Sequence, residues 1–65
     1  MTCIVCPWDG MAVRYEGCHA SVERSGALIV MREAQEPYSG GDFRMVARTV
    51  ALYAAGTWAR VTFEE

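Results

Sequence analysis

"FRMVARTVALYAAG", residues 43–56, decides how the rest of the chain is read. Its apolar positions Phe43, Val46, Ala47, Val50, Tyr53 and Ala54 recur at the spacing of a helix laid on a core. Asp42 stands where an N-cap belongs and Gly56 where a helix stops. The pattern predicts one α-helix. On it, Arg44 and Arg48 define a narrow polar face, and Met45, Thr49 and Leu52 form a second ridge beside the buried stripe. The ridge has two readings: the margin of a wide core contact, or an exposed apolar strip beside two arginines, which suits a protein-binding surface.

Everything before and after this segment reads as strand and turn. "TCIVC", residues 2–6, is short, apolar and partly β-branched, and it stops at Pro7. "PWDG" carries turn residues, with Asp9-Gly10 a hairpin signal. "MAVRYEG" then alternates Met11, Val13 and Tyr15 against Ala12, Arg14 and Glu16, the pattern of a half-buried strand. In "CHASVERSGALIVMRE" two extended runs flank Ser25-Gly26, which predicts a second hairpin; a helix over residues 19–34 is the competing reading, which Gly26 and the β-branched residues argue against. Leu28 and Val30 share one face with Arg32, while Ile29 and Met31 share the other with Glu33, so this strand is expected to be central. "AQEPYSGGD" reads as a loop, with Pro37 and the Gly40-Gly41 pair. "TWARVTFEE" alternates again and closes the chain as a strand. The order ββ, ββ, α, β predicts a single α+β domain over residues 1–65. Its small antiparallel sheet would have about four to five strands, with one α-helix packed across one face.

Composition narrows the function classes. A chain of 65 residues buries only about 60% of its unfolded surface, so its core needs help from a metal, a disulfide or a partner. The apolar fraction of 52% and charged fraction of 22% are those of a folded protein rather than a disordered one. A net charge of −2 provides no basic footprint for a phosphate backbone, so direct nucleic-acid binding is not expected. All six basic residues are arginine, a side chain that forks to carboxylates and stacks on aromatics at protein interfaces. The longest apolar run, "ALIVM", is of strand length, and the N-terminus has no basic region followed by a sustained apolar one. An odd number of cysteines, three, does not read as a disulfide framework, and a reducing cytoplasm fits best.

The cysteines also raise the question of zinc. Cys3 and Cys6 with Cys18 and His19 form a C-x2-C-x11-C-H pattern, formally four ligands for one structural zinc. The spacers Ile4 and Val5 favour extended backbone, and residues 3 and 6 of a regular strand project to opposite faces. Buried, reduced thiols without any cofactor are the favoured reading. A small zinc-stabilised module accessory to a nucleic-acid enzyme is the alternative, and a redox pair ranks below both. His19, the one histidine, lacks an acid–base constellation. Gly40-Gly41 before Asp42 lacks the lysine of a phosphate loop. No catalytic residue emerges, and the expectation is a protein without enzymatic activity.

The segments "SVERSGALIVMREA" (21–34) and "YSGGDFRMVARTVALYAAG" (38–56) resemble, in their organisation, the small anti-CRISPR inhibitors of phages and mobile elements. Several of those are single tiny domains in which a hairpin with an E-R-polar-G turn precedes a glycine-containing loop and an Ala-rich helix. The likeness covers the middle and last two-thirds of the chain; "CIVCPWDG" has no counterpart, and no functional residue carries over. It implies a non-enzymatic inhibitor that blocks a bacterial CRISPR effector complex by surface occlusion in the host cytoplasm. The residues expected to touch such a partner are Arg44, Met45, Arg48 and Leu52, with Trp8 as an aromatic anchor. A homodimer through the Met45-Thr49-Leu52 ridge is compatible with this.

Overall fold

The computed structural model describes all 65 residues and contains six β-strands with no α-helix. They are β1 (Thr2–Pro7), β2 (Val13–Glu16), β3 (Cys18–Val22), β4 (Leu28–Pro37), β5 (Phe43–Tyr53) and β6 (Trp58–Glu64). A single 3-10 turn, Ser39–Gly41, joins β4 to β5. The strands form two three-stranded antiparallel sheets, ordered β2-β1-β6 and β3-β4-β5. No helix is long and apolar enough to cross a membrane.

The expected α+β fold is therefore overturned at residues 43–56. The segment satisfies a second period as well as the helical one: Phe43, Met45, Ala47 and Thr49 alternate with Arg44, Val46 and Arg48. Val46, Thr49 and Val50 are β-branched and Phe43 and Tyr53 aromatic, which favours strand where a pairing partner exists. β4 supplies that partner, with β5 registered on it from Leu28↔Tyr53 to Pro37↔Phe43. Ala34–Pro37, expected in a loop, belongs to β4 for the same reason. Asp42 does not cap a helix; its carbonyl accepts the Tyr38 N–H at 2.7 Å and closes the hairpin loop. Gly40 and Gly41 turn that loop with φ of +85° and +81°, which residues bearing a Cβ avoid.

The hairpins expected at "PWDG" and at Ser25-Gly26 form as β1–β2 and β3–β4. Two bulges then shift the alternation. Val50 is the extra residue between the Met31↔Thr49 and Val30↔Ala51 pairs, and Ala59 lies between the Cys6↔Arg60 and Pro7↔Trp58 pairs. Through the first, Ala51 and Tyr53 share the inner face with Leu28 and Val30. Through the second, Trp58 joins Val61 against the core.

That core is small. Cys3, Val5, Cys18, Leu28 and Val30 are the buried residues, with Tyr15, Tyr53, Trp58 and Val61 packed half-buried around them. Each of Val5, Leu28 and Val30 contributes about 2 kcal/mol by its burial. Side-chain hydrogen bonds close the two sheets over this core. The hydroxyls of Tyr15 on β2 and Tyr53 on β5 lie 2.6 Å apart, and the indole N–H of Trp58 on β6 donates to the Gly26 carbonyl at 2.9 Å.

The β4–β5 hairpin outruns the rest of the molecule. β3 stops pairing at Cys18↔Arg32, so Glu33–Pro37 and Phe43–Ala47 continue as a ribbon of two strands. The molecule measures 47 × 26 × 15 Å, with a radius of gyration of 13.9 Å. A compact chain of this length has about 10.7 Å. The overhang accounts for the elongation.

Candidate protein-binding surface

The overhang is open on both faces, and its alternation separates two chemistries. The register places Arg32 opposite Arg48, Ala34 opposite Val46 and Glu36 opposite Arg44, all on the side that continues the inner face of Leu28 and Val30. The first sheet does not reach this far, so the side chains of Arg44 and Arg48 stay more than half exposed. Glu36 accepts from both: Arg44 Nη2 at 3.2 Å and Arg48 Nη2 in a closer bond. Arg44 also stacks its guanidinium over the Tyr38 ring, 5.2 Å from the centroid. Arg32 is exposed and makes no ion pair. Three guanidiniums against one carboxylate leave this face cationic on a chain whose net charge is −2.

The opposite side of the same sheet is apolar. Ile29 pairs with Leu52, Met31 with Thr49, Gln35 with Met45, and Pro37 with Phe43. Phe43 and Leu52 are each 65% exposed and Met45 56%, which is far from ordinary for large apolar side chains clustered on one surface. Met45, Thr49 and Leu52 thus share a face, as the helical reading had it, but across a bulged strand.

Trp8 does not join them. It is 70% exposed in the β1–β2 turn, where its N–H donates to the Thr57 carbonyl at 3.2 Å. That places it at the Trp58–Gly26 end of the molecule, whereas Arg44 lies near the hairpin tip. The nine residue steps along β5 from Arg44 to Tyr53 span about 30 Å. One compact contact therefore includes either Trp8 or Arg44, not both. Arg32 and Glu36 are the members of the arginine face that the sequence reading missed. The signal was their period-two spacing on a strand whose length was underestimated.

Cys3, Cys6, Cys18 and His19 do not converge. Cys3 and Cys18 point into the core from different sheets, while Cys6 lies further along β1 at its bulge. His19 pairs with Met31 on the outer side of its sheet, opposite Cys18. No group of three or more His, Cys, Asp or Glu side chains is close enough to hold an ion. Burial pushes the Cys3 thiol above its ordinary pKa, and the neighbouring Cys18 adds to this, so it stays protonated and unreactive at neutral pH. Cys18 donates its S–H to the Glu16 carbonyl at 3.5 Å.

A shallow cavity of about 260 Å³ lies at the sheet edge, lined by Met1, Gly17, Cys18, His19 and Glu33. It holds a thiol, an imidazole and a carboxylate, but the thiol is only 4% exposed and turned toward the Glu16 carbonyl. The cavity therefore does not present a nucleophile beside its base. No protein-family model, curated protein or solved structure matches the chain.

Proposed function

We propose that this protein is a non-enzymatic binding module that docks the arginine face of its β4–β5 overhang onto an acidic surface of a larger protein assembly and occludes it. The observation that carries this is the pairing of Arg44 and Arg48 with the single carboxylate of Glu36 on an uncovered ribbon, with Arg32 on the same face opposite Arg48. Glu36 and the Tyr38 ring hold Arg44 and Arg48 extended, which lowers the side-chain entropy lost when they fork to a partner's carboxylates. Arg32 brings an unpaired guanidinium beside them. The helix on which the anti-CRISPR resemblance rested is strand β5. A CRISPR effector is thus one bait to test, with no structural feature pointing to it over other bacterial complexes.

The test is capture of partner complexes on the immobilised protein, with R32A and R44A/R48A proteins as controls. Alanine is preferred to glutamate because Glu36 would otherwise face two further carboxylates. Affinity for a captured partner should fall at least ten-fold in R44A/R48A and weaken with rising salt. Stability should change by less than about 1 kcal/mol, since the ion pairs lost are exposed. Undiminished binding by both variants would remove the arginine face from the function. Binding to nucleic acid in place of protein would overturn the assignment of partner.

A further inference from the structure

We infer that the apolar outer face of the β3-β4-β5 sheet is covered by the same face of a second copy of this chain, giving a two-fold dimer. This surface is on the opposite side of the sheet from the arginine face and stands independently of it. Three observations select a second copy as the occupant. The first is area. A compact monomer of 7.2 kDa exposes about 4,100 Å², whereas this chain exposes 4756 Å². The excess of roughly 600 Å² falls in the range that each partner buries in a standard protein interface, about 800 Å² per side.

The second is charge. A two-fold contact brings each patch against itself, so any charge on it meets its own kind. The outer face is suited to this: Ile29, Met31, Phe43, Met45 and Leu52 occupy it, and Glu33 and His19 are its ionisable groups. His19 lies on the edge strand β3, and Glu33, between Met31 and Gln35 just past the end of β3, lines the same cavity, so each face carries a single carboxylate. All three arginines of the sheet project the other way. A face with almost no charge is self-compatible, which the arginine face is not.

The third is the overhang itself. A two-stranded ribbon is marginal in water and needs a third strand or a packed surface. Glu33–Pro37 with Phe43–Ala47 has neither within its own chain. Stacking a second sheet at about 10 Å with aligned strands lays apolar side chains over Phe43 and Met45 and supports the ribbon. The dimer then displays its two arginine faces outward, on opposite sides, as a bivalent binder.

Sedimentation equilibrium and native mass spectrometry test the dimer at several chain concentrations. The wild type should run at twice 7.2 kDa. M45E/L52E should run at the single-chain mass and stay folded, because both side chains are already exposed in one protomer, with a β-type circular dichroism spectrum weakened only by fraying of the overhang. Ala47→Arg, a bulky change at an exposed position on the same face, should do likewise and serves if the double variant folds poorly. R44A/R48A should remain dimeric. A wild type that is monomeric at all concentrations overturns the inference. So does a dimer that survives both outer-face changes while the outward amides of β5 become protected from exchange, which would show pairing through the strand edge instead.

Discussion

Replacing Tyr15 or Tyr53 with phenylalanine asks how the two sheets are held together. The hydroxyls are 2.6 Å apart and half-buried, one from each sheet. Removing either oxygen breaks that bond and leaves the other hydroxyl to find water, at a cost of about 1 kcal/mol. Both single changes break the same bond, so the double variant should cost about as much as either one. Summed independently the two would cost about 2 kcal/mol, and the coupling energy should therefore be close to 1 kcal/mol. For 65 residues, an unfolding entropy near 2.1 cal/mol/K per residue makes 1 kcal/mol worth about 7 °C in Tm. Thermal and urea unfolding of the four proteins at one fixed chain concentration reads this directly. Additive losses, or single variants as stable as the wild type, would refute the claim that this pair clamps the sheets.

Three further predictions rest on the same geometry. The Tyr53 hydroxyl is pushed up to about 12, first by burial and then by its hydrogen bond with Tyr15, against an ordinary value of 10.0. The folded state thus keeps a proton that the unfolded chain releases, so the stability it contributes is intact below pH 10.0 and is lost as pH rises toward about 12. Urea titrations should show that alkaline decline, and it should be shallower in Y53F; an equal slope in both would contradict the assignment. Gly26 has φ of +93°, and a Cβ there would sit 3.2 Å from the Ala55 Cβ while its carbonyl holds the Trp58 indole. G26A should therefore lose about 1–2 kcal/mol, measured by urea unfolding, with neutrality as the contrary result. Chelation should leave the melting curve unchanged, because Cys3, Cys6, Cys18 and His19 point apart. One metal per chain, lost together with the fold, would reverse that.

Much of the fold was legible where a turn residue and an alternating run agreed. Asp9-Gly10 and Ser25-Gly26 each sit between extended runs, and both hairpins formed. The central place of β4 followed from Leu28 and Val30 sharing a chain stretch with an apolar opposite face. Residues 43–56 misled because alanines, a possible cap at Asp42 and a stop at Gly56 all agree with a helix, while the competing period is broken by the bulge at Val50. Local pattern could not weigh the ladder that β4 offers, which exists only once Ala34–Pro37 is extended too. Of the expected contact residues, Arg44 with Arg48 and Met45 with Leu52 stay together in pairs, because period-two and four-residue spacings coincide and the bulge restores Leu52. Trp8 separates from them because nothing in its own turn reveals which end of the hairpin the first sheet covers.

Both proposed surfaces depend on β5 being a strand, so its backbone geometry is the most direct measurement. Nuclear Overhauser spectra of the labelled protein should show cross-strand contacts from Met31 to Thr49 and from Gln35 to Met45, with extended chemical shifts through residues 43–53. Sequential amide–amide contacts with i to i+3 connectivities from Phe43 to Tyr53 would mean a helix, and would dissolve the separation of arginine and apolar faces on which the account stands.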